Sequence, residues 1–209
     1  MARTIDIHEI NSEIAPLYMN GNMAAMDSFM IHTCNNTTAS RRRRHRKYGD
    51  PESRWSKTTW RWSYGRKCHV YMDMDSLIIV EWLITGNIHD SNVSHYLIDS
   101  VRDFQYVLAD STYNSSEIYD YIFEITHSMP VIDTNRRRGI ILEKLIMNRK
   151  IGIDIRKNNS GMYSLRWEIE RTFSILDGMP GSEDIWYVRD RNYDTAMGLK
   201  IIAYNLMVI

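Results

Sequence analysis

The order of patterns along the chain predicts an α/β layer fold, a mixed sheet flanked by helices. Three apolar, strand-like runs come first, then helices alternating with strands, then two closing helices. Composition agrees: of 209 residues, 44% are hydrophobic and 25% charged, as in a globular domain long enough to bury a substantial core. One arginine run is the sole low-complexity tract, and no segment repeats.

Each element follows from local pattern. Residues 1–20 carry helical periodicity through Ile5, Ile10, Ile14 and Leu17, broken at Pro16 and closed by Asn20, Gly21 and Asn22. The short apolar run Met23 to Ile31 suits a buried strand, with Asp27 in its middle. A basic, polar stretch fills His32 to Ser56. "WRWSYGRKCHVYMD" and "SLIIVEWLIT" read as two strands joined by a tight turn at Met74 and Asp75. "GNIHDSNVSHYLIDSVRDF" is a turn and then a helix, with Asp90 as N-cap and Val93, Leu97, Val101 and Phe104 facing inward. "QYVLADSTY" is an apolar strand that ends on Asp110, "SSEIYDYIFEITHS" a helix, and "MPVIDTN" a fifth, short strand. A linker with Arg136, Arg137 and Arg138 leads through a poorly patterned segment to the helix "YSLRWEIERTF", and "YDTAMGLKIIAYNLMVI" closes the chain as a second helix.

Charge is unevenly placed. The formal net charge is zero, yet from Arg41 to Lys67 eleven Lys/Arg stand against two acids, Asp50 and Glu52. A basic segment on an otherwise acidic body points to a polyanionic partner at one surface. The two cysteines, Cys34 and Cys68, form no CxxC pair, so neither a disulfide framework nor a zinc knuckle is expected, and a reducing cytoplasm fits. "MARTIDIHEI" has no apolar core of a secretory signal, and "LKIIAYNLMVI" is too short to span a bilayer. A soluble, cytoplasmic protein without a membrane partner is the expectation.

Three carboxylates stand out. Asp27 and Asp110 each sit in, or end, an apolar strand run, where an ionised carboxylate is costly unless paired or metal-bound. If the two strands are neighbours, the like charges push one proton affinity up, and a divalent cation relieves the repulsion. The third is Glu170. At about 100° per residue, Leu165, Ile169, Phe173 and Leu176 form the apolar sector of its helix. Tyr163, Arg166, Glu170 and Asp177 occupy the adjoining sector, with Glu168 and Arg171 pointing elsewhere. Glu170 is thus expected at the rim of the buried face. Taken alone, it reads as an i,i+4 ion pair with Arg166, worth a few tenths of a kcal/mol. Taken with both aspartates, it completes an all-oxygen set suited to a hard ion such as Mg²⁺.

The succession "MDSFMI", "YGRKCHVYMD", "GNIHDS", "VLADSTY", "PVIDTNRRR" and "YSLRWEIERTF" resembles the DDE transposases of insertion sequences. The likeness covers about residues 22–209, and its most specific part is the helix carrying Tyr163, Arg166 and Glu170. Asp177 stands where that family shows a lysine. The resemblance implies a ribonuclease-H-like fold, a mixed five-stranded sheet flanked by helices, with Asp27 on the first strand, Asp110 on the fourth and Glu170 on the helix. It implies catalytic and metal-binding roles for those three residues, two Mg²⁺ ions (Mn²⁺ as substitute), and DNA cleavage with strand transfer. Tyr163 and Arg166 would position the DNA strand. Residues 1–21 then form a short N-terminal segment, the remnant of a DNA-binding region, before a catalytic domain of residues 22–209. The expected partners are DNA, as transposon ends and target, and a second copy of the chain in a homodimer, within the nucleoid.

Arg41, Arg42, Arg43 and Arg44 are candidate phosphate contacts, against the alternative of a solvated loop. Trp55, Trp60 and Trp62 interleave with Lys57 and Arg61 as base-stacking platforms do, although strand packing accounts for most such residues. His89 and His95 suit turn and capping roles around Asp90 better than a metal site. Ser111 and Thr112 lack the Gly-x-Ser-x-Gly elbow of a nucleophile. The rival reading is a truncated, catalytically inactive DNA-binding remnant, which Asp177 and the short N-terminal segment favour; the intact acidic triad favours the enzyme.

Overall fold

The computed structural model describes residues 6–33, 50, 52–57, 62–86, 88–100, 104–134, 145–180 and 190–209. The arginine run 41–44, Trp60, Arg61, Val101 and Arg136 to Arg138 lie outside the described residues.

The strands are β1 (Met23–His32), β2 (Arg54–Lys57), β3 (Trp62–Asp73), β4 (Ile79–Thr85), β5 (Tyr106–Ala109) and β6 (Met129–Ile132). They form one mixed, six-stranded sheet in the order β2-β3-β1-β5-β6, with β4 also paired to β3. The sixth strand is β2, from the polar stretch that carried no strand pattern. β3 is twelve residues long, and β4 pairs with it only from Lys67 to Met72. β2 covers the rest of that edge, with Arg54 opposite Gly65 and Lys57 opposite Trp62.

β1 is central because both its faces are apolar. Met23 and Ala25 join one core cluster and Ala24 and Met26 the other, which is why the run shows no alternation. It pairs antiparallel with β3 from Ala24 to His32 and parallel with β5, Met23 opposite Tyr106 through Met26 opposite Ala109. Parallel pairing of β5 with β6 completes that side. The preceding turn is set by Gly21, whose φ of 70° lies in the left-handed region.

Among the described residues the α-helices are α1 (Ile7–Ile14), α2 (Asp90–Ser100), α3 (Ser116–Glu124), α4 (Met147–Asn158), α5 (Ser160–Ser164), α6 (Trp167–Gly178) and α7 (Asp190–Val208). α2 and α3 bury Leu97, Ile98, Ile118 and Ile122 on one face of the sheet. α6 and α7 bury Ile169, Phe173, Leu176, Met197 and Ile201 on the other. α1 packs against β4 and α7 and helps to satisfy the sheet edge. The Asn11 amide donates to the Ile79 and Val80 carbonyls at 3.2 and 3.0 Å. Asn205 accepts from the Ile79 N–H at 2.9 Å and donates to Asn11 Oδ1 at 2.9 Å. Edge groups paired in this way offer no template to a further strand.

α4 lies in the segment without clear pattern. It packs through a glycine: a Cβ at Gly152 would stand 2.2 Å from Cε1 of Tyr119, and Met147 and Ile151 are exposed. Its buried residues are Gly152 and Ile153. The helix around Glu170 also departs from expectation. It is broken at 165–166 into α5 and α6, with three-residue hydrogen bonds from Leu165 N to Met162 O and from Arg166 N to Tyr163 O. The tighter turn rotates Leu165 out of the apolar sector, leaving it exposed, and Thr172 is buried against Tyr204 instead. Asp90 is the first residue of α2 and not its N-cap; the His89 ring meets Ser91 Oγ at 2.8 Å there.

Candidate active site

Alternation along the parallel strands brings Asp27 and Asp110 together. Ala25 and Leu108 are partners in the β1–β5 pairing and share the face that α6 covers. Two residues on, Asp27 and Asp110 follow on that same face, one position beyond the last pair, Met26 and Ala109. Here β5 ends and β1 continues, so both carboxylates stand at the carboxyl end of the shorter strand. Asp133 stands one residue past β6, its N–H donating to the Ala109 carbonyl at 3.2 Å.

Asp27 is mostly buried. Its Oδ1 accepts from the Ser28 N–H at 2.8 Å, and its Oδ2 from Arg166 Nη1 at 2.5 Å. Burial pushes its carboxyl up to about 6, and the charges of Asp110 and Asp90 add to that; Arg166 and the Ser28 N–H pull the other way. Asp110 caps the turn Ser111–Tyr113, accepting from the Thr112 N–H at 2.8 Å and from the Thr112 hydroxyl. Ser111 and Thr112 are thereby capping partners of Asp110. Glu170 reaches the site through Arg166, whose Nη2 donates to Glu170 Oε1 at 2.7 Å. One guanidinium therefore spans Asp27 and Glu170. The Glu170 side chain is 59% exposed, more than a rim position suggests, whereas Glu168, held by Arg171 at 3.3 Å, is 20% exposed.

Tyr163 is half-buried beside this pair, its hydroxyl raised above its ordinary value by burial against the pull of Arg166. The Arg156 guanidinium lies 3.6 Å from its ring centroid and that of Arg166 5.9 Å. Arg156 also lies 3.7 Å from Asp133. The structure thus gathers Asp27, Asp110, Tyr163, Arg166 and Glu170 at one end of β5.

Two features escaped the sequence reading. Arg156 lies in the helix without clear pattern and had no signal. Asp90 did: it sits in "GNIHDS", but its role is that of an anionic hub. It accepts from Ser28 Oγ at 2.6 Å and Lys67 Nζ at 2.8 Å, and lies 3.1 Å from His69 Nδ1. Burial works against its charge, yet the bonds from His69, Lys67 and Ser28 hold its carboxyl well below the usual carboxylate range. The hub fixes the residue after Asp27. Of the tryptophans, Trp55 packs against Tyr64 with ring centroids 5.3 Å apart, and Trp62 is exposed.

Residues 21–206 match the family model described as Transposase DDE domain. The chain belongs to that family. No curated protein and no solved structure matches it. The order of the motifs and the ribonuclease-H-like arrangement of the sheet are thereby accounted for together, and membership supports a transposase role on DNA. No described helix is long and apolar enough to cross a membrane.

DDE transposases use divalent metal ions. Among the described residues, no group of three or more His, Cys, Asp or Glu side chains stands close enough to hold one. The donor chemistry nevertheless fits: three carboxylates offer only hard oxygen ligands. A cation already lies between two of them, the guanidinium of Arg166, and Asp27 remains hard to ionise even so. Glu170 is turned toward that arginine.

Proposed function

We propose that this DDE transposase cleaves DNA and transfers the cut strand, with Asp27, Asp110 and Glu170 as its catalytic, metal-holding carboxylates. Mg²⁺ is the natural ion and Mn²⁺ its substitute. Ions held there supply charge stabilisation to the attacking and leaving oxygens of an in-line displacement. The chain's own residues orient the substrate. Tyr163 and Arg166 flank the carboxylates and position the scissile strand; Arg41, Arg42, Arg43 and Arg44 add sequence-independent phosphate contacts. Residues 22–209 are the catalytic domain and 1–21 a short preceding segment. Transposon ends and target DNA are the substrates, acted on by a homodimer in the nucleoid.

One observation carries this reading: Asp27 and Asp110 stand side by side at the end of β5, and a helix 139 residues further along the chain closes on Asp27 through Arg166.

The test is metal-dependent nicking of supercoiled plasmid by wild type, Glu170→Gln and Glu168→Gln, with folding checked by circular dichroism. An amide removes charge at nearly constant volume, so both variants should fold. Glu170→Gln should lose nicking by at least about a hundredfold, the scale of losing a group that acts on transition-state charge. Glu168→Gln should keep it. Nicking retained by folded Glu170→Gln overturns the assignment.

A further inference from the structure

We propose that Arg166 is the resident counter-ion of this site: its guanidinium fills the place between Asp27 and Glu170, so a divalent ion loads only when that guanidinium leaves, and a DNA phosphate draws it away. The inference rests on the metal-site reading above and adds a regulation to it.

Nη1 lies 2.5 Å from Asp27 Oδ2 and Nη2 lies 2.7 Å from Glu170 Oε1, each nitrogen serving a different carboxylate. Arg166 is held where the chain turns from α5 into α6, with its side chain 18% exposed. It is therefore not a surface arginine that happens to meet an acid. Without it, two carboxylates would face each other across a part-buried gap, the situation that a divalent ion also relieves. Guanidinium and metal thus compete for the same oxygens. A guanidinium stays protonated in proteins, so it cannot step aside by losing its proton. It must move to another anion. A phosphodiester matches the guanidinium fork, and the Tyr163 ring at 5.9 Å offers an aromatic face beside the path. By reciprocity, DNA then tightens metal binding and metal tightens DNA binding by the same factor. A free chain in a magnesium-containing cell stays largely unloaded until DNA arrives.

The experiment reads Mn²⁺ binding to the chelator-treated full chain from the electron paramagnetic resonance of free Mn²⁺, without any activity measurement. Arg166→Gln should bind Mn²⁺ about tenfold more tightly than wild type, within the usual span of coupled sites. Arg156→Gln removes the same charge from the arginine stacked on Tyr163 and should change binding less than about twofold. Arg166→Lys, whose single ammonium is a compact point charge, should fall between wild type and Arg166→Gln, and it carries the test if the glutamine variant does not fold. A short DNA duplex, with its own Mn²⁺ uptake subtracted, should tighten binding in wild type and not in Arg166→Gln. Equal or weaker Mn²⁺ binding by Arg166→Gln overturns the counter-ion role, as does an equal gain in Arg156→Gln. Asp27→Asn separates the two ideas. If it abolishes Mn²⁺ binding while Arg166→Gln changes nothing, the metal site stands and the counter-ion falls. If it leaves Mn²⁺ binding unchanged, or if wild type and Arg166→Gln both bind none, the metal-site reading falls with it.

Discussion

Asp27→Asn should stabilise the metal-free protein, and only above a certain pH. The Asp27 carboxyl is raised from 3.8 to about 6, chiefly by burial and further by Asp110 and Asp90. A raised carboxyl pKa means that the folded state holds the proton more tightly than the unfolded chain. Stability is therefore undiminished below 3.8, falls as pH rises from 3.8 to about 6, and carries the full cost above that. At about 1.4 kcal/mol per pH unit the interval amounts to about 3 kcal/mol. The side chain is 17% exposed, so solvent screens little of this. The attraction of Arg166 is already contained in the value, because it opposes the rise. Asparagine keeps the volume and cannot ionise. In urea titrations with chelator present, the variant should gain about 3 kcal/mol at pH 8, about 1 kcal/mol at pH 4.5 and almost nothing at pH 3. For a chain of this size the gain at pH 8 is about 6–12 °C in Tm. With a short DNA duplex present, Mg²⁺ should then raise the Tm of wild type above its duplex-only value and leave the variant unmoved. A difference that does not vary with pH, or a variant destabilised at pH 8, would refute the reasoning.

Asp50 and Arg66 form a buried, two-pronged ion pair, Nε to Oδ2 at 2.7 Å and Nη2 to Oδ1 at 2.5 Å, with side chains 3% and 2% exposed. Asp50→Asn breaks one side of that buried pair and should cost about 3–5 kcal/mol by urea denaturation at pH 7. Burial opposes the Asp50 charge, but bonds from Arg66 and Ser53 hold its carboxyl below the ordinary value, so the pair stabilises the fold above 3.8 and the difference should close as pH falls below it. His8 joins α1 to Glu81 of β4 at 2.9 Å and to Asp194 of α7 at 3.1 Å. Burial alone would lower its pKa, yet the bonds to Asp194 and Glu81 raise it from 6.5 to about 10. Its contribution is then full below pH 6.5 and lost as pH rises through about 10. His8→Gln should lower the Tm at pH 7 by an amount equivalent to about 1–2 kcal/mol, discounted for partial exposure, and the two melting curves should converge near pH 11.

Much of this fold could be seen in the chain because its strongest elements carry their own signal. β1 and β4 are apolar on terms that hardly depend on context, and Asp27 and Asp110 were visible as charges in runs that admit none. What stayed hidden depends on distant partners. β2 is a strand because β3 outruns β4, which nothing within Arg54 to Lys57 declares. α4 rests on a glycine against Tyr119, a contact that only the distant partner reveals. Asp50 looked like one of two acids diluting a basic segment, whereas Arg66, sixteen residues away, makes it a buried anchor. A hydrophobic period reports which face is covered; it says nothing of which charges will be covered together.

Glu170 shows the same limit from the other side. The sequence admitted two readings, an ordinary i,i+4 pair with Arg166 or a ligand in a three-carboxylate site, and these looked like alternatives. Under the counter-ion proposal they are two states of one arrangement. The i,i+4 pair is present at 2.7 Å. A pair that served only the helix would leave the second nitrogen to solvent. Here that nitrogen is committed to Asp27, on the central strand and mostly hidden from water. The helix pair on its own is worth a few tenths of a kcal/mol, too little to hold Arg166 in place. The second contact, to a carboxylate that burial makes hard to ionise, is what makes the position specific. The arginine thus satisfies locally what the site leaves unneutralised, and the carboxylates stay ordered and close before any metal arrives. Preorganisation of that kind costs affinity for the ion in the free protein and spares the reorganisation otherwise needed once DNA has bound.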